Sequence, residues 1–410
     1  MELMTNPGYK QTEVGLIPED WNLHQVIDLI DLLTDYDANG SFASVAENVK
    51  VYDYEKFAWY VRSTDLEKNS NLNDVRYVDK ESYQFLKKTA LYGGELLFLK
   101  RGDIGNVYLF KMKTKYATVA PNLYLLKLNE VSNSEYLYYY FISNRGQSQL
   151  KSKNASSTLG ALYKDDVKAI YVPLPPTLTE QEAIATALSD VDALISSLDK
   201  FITKKKAIKQ GAMQQLLIPP YKGGKRLPGF SGEWVEKTLG EIINLDKGEQ
   251  LNRDTLSSDG AYPVINGGVE PSGYCEKWNR SENTITISEG GNSCGYVNLL
   301  KTKFWSGGHC YSLKFKTSEA NQQYLYLFLK YMENSIMSLR VGSGLPNIQK
   351  GRLVLFNCSI PIDVKEQKAI AQILSDMDEE IEQLESKKVK YQAIKQGMMQ
   401  ELLTGKTRLV

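Results

Sequence analysis

Lysines alternate with aromatic and small polar residues in "FKMKTKYATVAPNLY" (Phe110–Tyr124) and "NRGQSQLKSKNASSTLG" (Asn144–Gly160). Similar mixtures return as "KTKFW" (Lys301–Trp305) and "LRVGSGLPNIQK" (Leu339–Lys350). Ammonium and guanidinium groups neutralise phosphates, with a salt-dependent gain in affinity. Amide and hydroxyl side chains on the same face can read base edges. Candidate phosphate contacts are Lys111, Lys113, Lys115, Lys151 and Lys153, then Lys301, Lys303, Arg340 and Lys350. Candidate base readers are Asn154, Ser156, Ser157, Asn347 and Gln349. The chain's net charge is zero, so what matters is distribution. Residues 1–80 carry −8, whereas 81–178 carry +6 and 301–362 carry +6. A single lysine is ordinary solvated surface; two matching basic surpluses suggest two binding patches.

Other fragments imitate catalytic motifs and fail on chemistry. "IPPY" (Ile218–Tyr221) has the shape of an amino-methyltransferase tetrapeptide, but Ile218 stands where a polar side chain must accept a hydrogen bond from the target amine. It reads as a linker turn. "GKT" (Gly405–Thr407) lacks the earlier glycine of a phosphate loop, Gln400 standing in its place, and it follows a helix where a phosphate loop would open one. Asp363, Glu366 and Lys368 loosely suggest a nuclease cluster, yet acidic residues at a helix start also favour its dipole. The Gly-punctuated runs "GELLFLKRGDIGNVYLF" (Gly94–Phe110) and "NTITISEGGNSCGYVNLL" (Asn283–Leu300) read as β-hairpins, with no helix following to make a phosphate cradle. Four scattered cysteines and two histidines, His24 and His309, leave neither a zinc set nor a Ser-His-Asp or Cys-His pair. The chain reads as non-catalytic, with no metal and no cofactor of its own. Free thiols and no visible export signal point to the cytoplasm, and no segment is long enough to span a bilayer.

The elements that must position the basic segments announce themselves by repetition. Glu180–Leu217 and Glu366–Leu403 agree at 21 of 38 aligned positions, 186 residues apart. Apolar residues step by four and three through Ile184, Leu188, Val191, Ile195 and Leu198, and again through Ile370, Leu374, Met377, Ile381 and Leu384. That is a heptad seam, which asks for a partner helix and makes these ten residues the predicted helix-pairing interface. Prolines at 175, 176 and 361, followed by Thr or Asp, mark the helix starts. Thirty-eight helical residues make a rod of roughly 57 Å. An ordinary helical hairpin inside one core is the competing reading; the ~140 dissimilar residues between the copies argue against it.

The β-rich segments outside the rods repeat as well. Trp21 in "IPEDWNLHQVIDL" is echoed by Trp234 in "FSGEWVEKTLGEI", and "EYLYYYFIS" (Glu135–Ser143) by "QYLYLFLKY" (Gln323–Tyr331). "SSTLGALYKDDV" (Ser156–Val167) is echoed by "GSGLPNIQKGRL" (Gly342–Leu353). The repeating unit is a head plus a rod, used twice. The predicted fold is α+β: two β-rich heads separated by two long coiled-coil helices, with an internal pseudo-two-fold repeat. The predicted boundaries are 1–176, 177–218, 219–362 and 363–410.

The rods, with "YPVINGGVEPSGYCEKWN" (Tyr262–Asn279) and "GELLFLKRGDIGNVYL" followed by "ATVAPNLYLLKLN", make the chain similar to type I restriction-modification specificity subunits over essentially its whole length. The resemblance implies two target-recognition domains, each binding one half of a bipartite, asymmetric site on double-stranded DNA. It implies an antiparallel rod pair that fixes the unread gap and docks two modification (methyltransferase) subunits, with restriction subunits joining that core. S-adenosylmethionine, ATP and Mg would then sit on those partners. Two alternatives stay open: a specificity subunit of a type IIB-like system, and a coiled-coil scaffold without a DNA role.

Overall fold

A computed structural model describes residues 8–68, 70–154, 160–342 and 344–409. Ser156 and Ser157 lie outside the described residues. The chain divides into two units: residues 1–197 with 388–410, and residues 198–387.

In the first unit, the predicted hairpin is present: Leu96–Leu99 pairs antiparallel with Val107–Leu109. It continues through Leu123–Leu128 to Ile30–Asp35, giving a four-stranded antiparallel sheet. A five-stranded sheet lies beside it in sequence, with Ala117–Val119 running parallel to Ala58–Val61. Two helices follow, Ser134–Ile142 and Asn144–Ser152, each started by a side-chain cap from Asn133 or Ser143. The first has buried Tyr136, Leu137, Tyr139, Tyr140 and Phe141. So many buried faces hide it from a search for amphipathic periodicity.

The second unit repeats this plan. Thr284–Ser288 and Val297–Leu300 form the hairpin, continued by Cys310–Phe315 and Ile243–Lys247 in the same order. Tyr262–Ile265 runs parallel to Trp305–Ser306, matching the parallel pair of the first unit. Asn321 caps the helix Gln322–Tyr331 as Asn133 caps its counterpart.

The rods are continuous helices of 39 residues each, Leu178–Leu216 and Val364–Leu402. Each contributes to both units. In the first unit, Ile184 and Leu188 share a buried cluster with Phe98, Leu126, Tyr140 and, from the second rod, Met399 and Leu402. In the second, Ile370 and Leu374 pack with Ile287, Leu313 and Phe328, and with Met213 from the first rod. The apolar stripe therefore serves a head core at each rod's start as well as a partner helix. Period alone does not separate these, because a helix lying on a domain shows the same stripe as one lying on a helix. Leu198 and Ile381 are buried; Val191, Ile195, Met377 and Leu384 are half-buried.

Rod-to-rod ion pairs run antiparallel in register. Lys205 meets Glu380 at 2.6 Å, Lys206 meets Glu385 at 2.6 Å, and Lys209 meets Asp378. In the first unit, Lys395 meets Asp192 at 2.7 Å.

Candidate DNA interface

Register places the two sheets on a common frame. Tyr124 sits opposite both Phe98 and Asp35. Tyr311 sits opposite both Ile287 and Lys247. Two residues beyond Phe98 and Ile287 stand Lys100 and Glu289, so these four pairs of positions are equivalent. At this end of each sheet an ion pair bridges the outer strand and the hairpin, with its charges exchanged. Lys100 Nζ meets Asp35 Oδ2 at 2.7 Å in the first head; Lys247 Nζ meets Glu289 Oε1 at 2.7 Å in the second. Lys164 adds a second cation to Asp35, also at 2.7 Å. Burial alone would raise the Asp35 carboxyl; the hydrogen bonds from Lys100 and Lys164 outweigh it and hold it below the usual carboxylate range.

A returning loop crosses the same end. Tyr124 Oη donates to the Leu162 carbonyl at 3.0 Å, and Tyr311 Oη, which donates to Glu289 Oε1 at 2.8 Å, stands 3.3 Å from the Ile348 carbonyl. The Leu162 amide donates to the Lys100 carbonyl at 3.0 Å, and the Ile348 amide to the Glu289 carbonyl at 2.8 Å. Gly160 lies so close that a Cβ there would stand 2.3 Å from the Gly102 carbonyl oxygen. Only glycine allows that approach. The segments around Gly160–Leu162 and Asn347–Ile348 are thus strapped to the hairpins by backbone bonds, with one tyrosine beside each.

The predicted basic residues divide between the two ends of each sheet. Lys151 and Lys153 end the helix whose Gln147 donates to the Gly105 carbonyl, which puts them by the hairpin loop. Asn154 Oδ1 accepts from the Ala161 amide, and Ala161 bridges to Arg101. Asn347 bridges to both Gly290 and Val341, carrying exposed Arg340 beside it; Gln349 precedes the helix that Lys350 begins. These belong to the strapped end. Lys111, Lys113 and Lys115 follow the far end of the hairpin. There Lys111 approaches Glu135 at 3.7 Å, Lys113 donates to the Ser70 carbonyl, and Lys115 lies over the Tyr116 ring. Lys301 and Lys303 occupy the matching far end in the second head, Lys303 stacked 4.5 Å over Trp278.

The catalytic look-alikes have structural employment. Glu366, fully buried, receives Arg226 Nε at 3.1 Å and Trp234 Nε1 at 3.4 Å. Its equivalent Glu180 receives Arg408 Nε at 2.5 Å, with Arg408 also gripping Asp20. The acidic residue at each rod start is therefore an ion-pair anchor as well as a favourable end charge. Sequence comparison missed the arginines because they follow the opposite rod in each case. Gln181 and Gln367 complete the joint, accepting from the Asn133 and Asn321 amides at 2.8 and 2.6 Å. Pro220–Lys222 is a short turn, and Gly405, at φ +71°, ends the second rod. All four cysteines are buried and free; burial pushes Cys310 to about 11 and Cys358 to about 12, out of reach of ordinary thiolate chemistry. Among the described residues no group of three His, Cys, Asp or Glu could hold a metal, and no helix is long and apolar enough to cross a membrane.

Two heads on one frame, joined by paired rods, define a duplicated recognition protein. The model of the type I restriction modification DNA specificity domain matches residues 18–210 and 231–391, one match per repeat. The chain belongs to that family and is a DNA specificity subunit of the type I restriction-modification class. The assigned specificity subunit of the type I restriction enzyme MjaX from Methanocaldococcus jannaschii is 25% identical, the alignment covering 100% of this chain and 99% of the relative. The crystal structure of the type I restriction-modification S subunit from M. genitalium superposes with a TM-score of 0.66 at 18% identity, covering 98% of both chains. A chain from a study of complex assembly in the type I system gives 0.59 at 15% identity, covering 95% of this chain and 99% of its own. These two structures share the fold.

Proposed function

We propose that each head reads one half of a bipartite, asymmetric duplex site, and that the rods set the unread gap and dock two modification subunits. The observation that carries this is the shared frame with different side chains at the strapped end. One scaffold bearing two polar, partly basic surfaces suits two unrelated half-sites. Lys151, Lys153, Arg340 and Lys350 would meet phosphates, and Asn154, Asn347 and Gln349 would offer amide groups to base edges. Lys111, Lys113, Lys115, Lys301 and Lys303 would meet phosphates only on a duplex that also follows the far end.

The chain itself is read as non-catalytic. Modification and restriction subunits would bring S-adenosylmethionine, ATP and magnesium, in the cytoplasm where DNA is met. The test is methylome mapping. The chain is expressed with a modification subunit in a host lacking adenine methylation, and modified bases are sequenced. A single bipartite motif with a constant gap, lost when either subunit is omitted, is the expected result. No modification, despite an active partner that assembles with the chain, would overturn the reading.

A further inference from the structure

The shared frame assigns a reading residue to each head that the lysine-rich segments do not reveal. The Lys100 amide donates to the Asn122 carbonyl at 3.0 Å, and the Glu289 amide donates to the His309 carbonyl at 2.9 Å. Asn122 and His309 each stand two residues before the strap tyrosine, so they occupy one position on two copies of the scaffold. Both are exposed: Asn122 is solvent-facing, and the His309 side chain keeps 63% of its accessible surface. Resting on the DNA reading above, we propose that Asn122 and His309 are base-reading residues at equivalent positions, each specifying one or two adjacent base pairs of one half-site.

The surroundings of each residue fix what it can offer. Asn122 Nδ2 donates one hydrogen to the Arg101 carbonyl at 3.1 Å. An amide nitrogen has a second hydrogen, and the amide oxygen accepts. That donor–acceptor edge matches N7 and N6 of adenine in the major groove. His309 is held differently. Its amide donates to Asn266 Oδ1 at 3.3 Å, and its ring Nδ1 faces Glu289 Oε2 at 3.8 Å. Glu289 Oε1 already receives Tyr311 Oη at 2.8 Å and Lys247 Nζ at 2.7 Å, whereas Oε2 is buried with no hydrogen-bond partner among the described residues. A carboxylate oxygen left open beside Nδ1 favours the tautomer with hydrogen on Nδ1. With hydrogen on Nδ1, Nε2 of this exposed ring is an acceptor and suits an exocyclic amine, N6 of adenine or N4 of cytosine. The same position thus asks for a donor–acceptor edge in one head and a donor in the other. The exchanged ion pair fits one scaffold supporting both: an acid on the hairpin stands beside the histidine, where a lysine in the same place would repel a protonated ring.

The experiment selects bound duplexes from a random library with the full chain assembled with its modification subunit, and reads the base preference at every position. The variants are N122A and H309A, with H309Q retaining a polar side chain, and each complex is checked for unchanged assembly and melting. H309A is expected to lower the preference at one or two adjacent positions of one half by on the order of 10-fold to 100-fold, leaving the other half unchanged. N122A is expected to do the same in the opposite half, and H309Q to change which base is preferred at the affected position. Unchanged profiles, or a uniform fall across both halves, would overturn the assignment. A wild-type complex that enriches no bipartite motif would sink the DNA reading itself, before any variant is compared.

Discussion

Truncating Arg408 to alanine should unsettle the first unit and spare the second. Arg408 Nε and Nη2 hold the two Glu180 oxygens at 2.5 and 2.8 Å, and Nη1 and Nη2 hold Asp20 at 2.9 Å each. The guanidinium also lies over the Trp21 ring, 5.7 Å from its centroid. The Asp20 carboxylate is half exposed, so its share is small. Glu180 is different: only 2% of its side chain is accessible, and R408A leaves that carboxylate buried without its ion-pair partner. Breaking such a pair costs ~3–5 kcal/mol, more than the pair is worth against an apolar replacement. At the lower end, a unit of this size loses roughly 6–12 °C of melting temperature. R226A should do the same to the second unit through Glu366, which is fully buried. Hydrogen exchange followed by peptide mass resolves the two units. R408A should raise exchange in Trp21–Leu33 and Tyr136–Phe141, with Trp234 and Phe328 peptides unchanged; R226A should reverse the pattern. Adding E180Q to R408A should recover a good part of the loss, since a neutral amide is cheaper to bury unpaired. Equal loosening of both units by either variant, or a loss below ~0.5 kcal/mol, would refute the anchor.

Three more perturbations separate the parts. D35N removes a carboxylate held below its ordinary range by Lys100 and Lys164. That stabilisation is present above about pH 4 and lost as pH falls through the depressed value, so wild type and variant should differ in urea midpoint at pH 7 and converge below pH 4. A constant difference across that range would assign the effect to packing. Neutralising Arg340 and Lys350 should flatten log affinity against log salt by about 0.9 per lost phosphate contact. Neutralising Lys111 and Lys113 should flatten it less, because they are engaged with Glu135 and Ser70; equal slopes would put the far end of the sheet on DNA. Inserting four residues, about one helical turn, after Asp199 and after Glu385 should lengthen the gap in the methylated motif and leave both half-sites intact. An altered half-site with an unaltered gap would end the ruler idea.

The duplication was legible because identity survives where one residue must satisfy both a rod and a head. Gln181 and Gln367 show this: each meets a cap residue and, through Nε2, the carbonyl of a rod-preceding proline, Pro175 or Pro361. The rods were legible because their period of 3.5 extends over many residues, and the hairpins because glycines punctuate short apolar runs. The tyrosine-rich helices were obscured by being buried on most faces. The strapped end was obscured for another reason. Its members, Asp35, Lys100, Asn122, Tyr124 and Leu162, are scattered over 128 residues and meet only through strand register. Charge counting drew attention to the lysine clusters and passed over His309, because a lone histidine carries no pattern. Exchange of the acid and base between the heads concealed the equivalence further, since aligned positions hold opposite charges.

The first unit is written in two pieces, its head at the start of the chain and its closing helical segment and Arg408 at residues 388–410. A ribosome therefore finishes the first head's sheets long before it makes the residues that seal them. The intervening 190 residues, 198–387, take ~10–40 s to synthesise. Throughout that interval the surfaces destined for Met399, Leu402 and Leu403 stay open, whereas the second unit is contiguous and is sealed first. A premature stop near residue 400 is thus a lesion of the recognition domain made earliest, and the product would read one half-site while its other head waits for a strand of message that never comes.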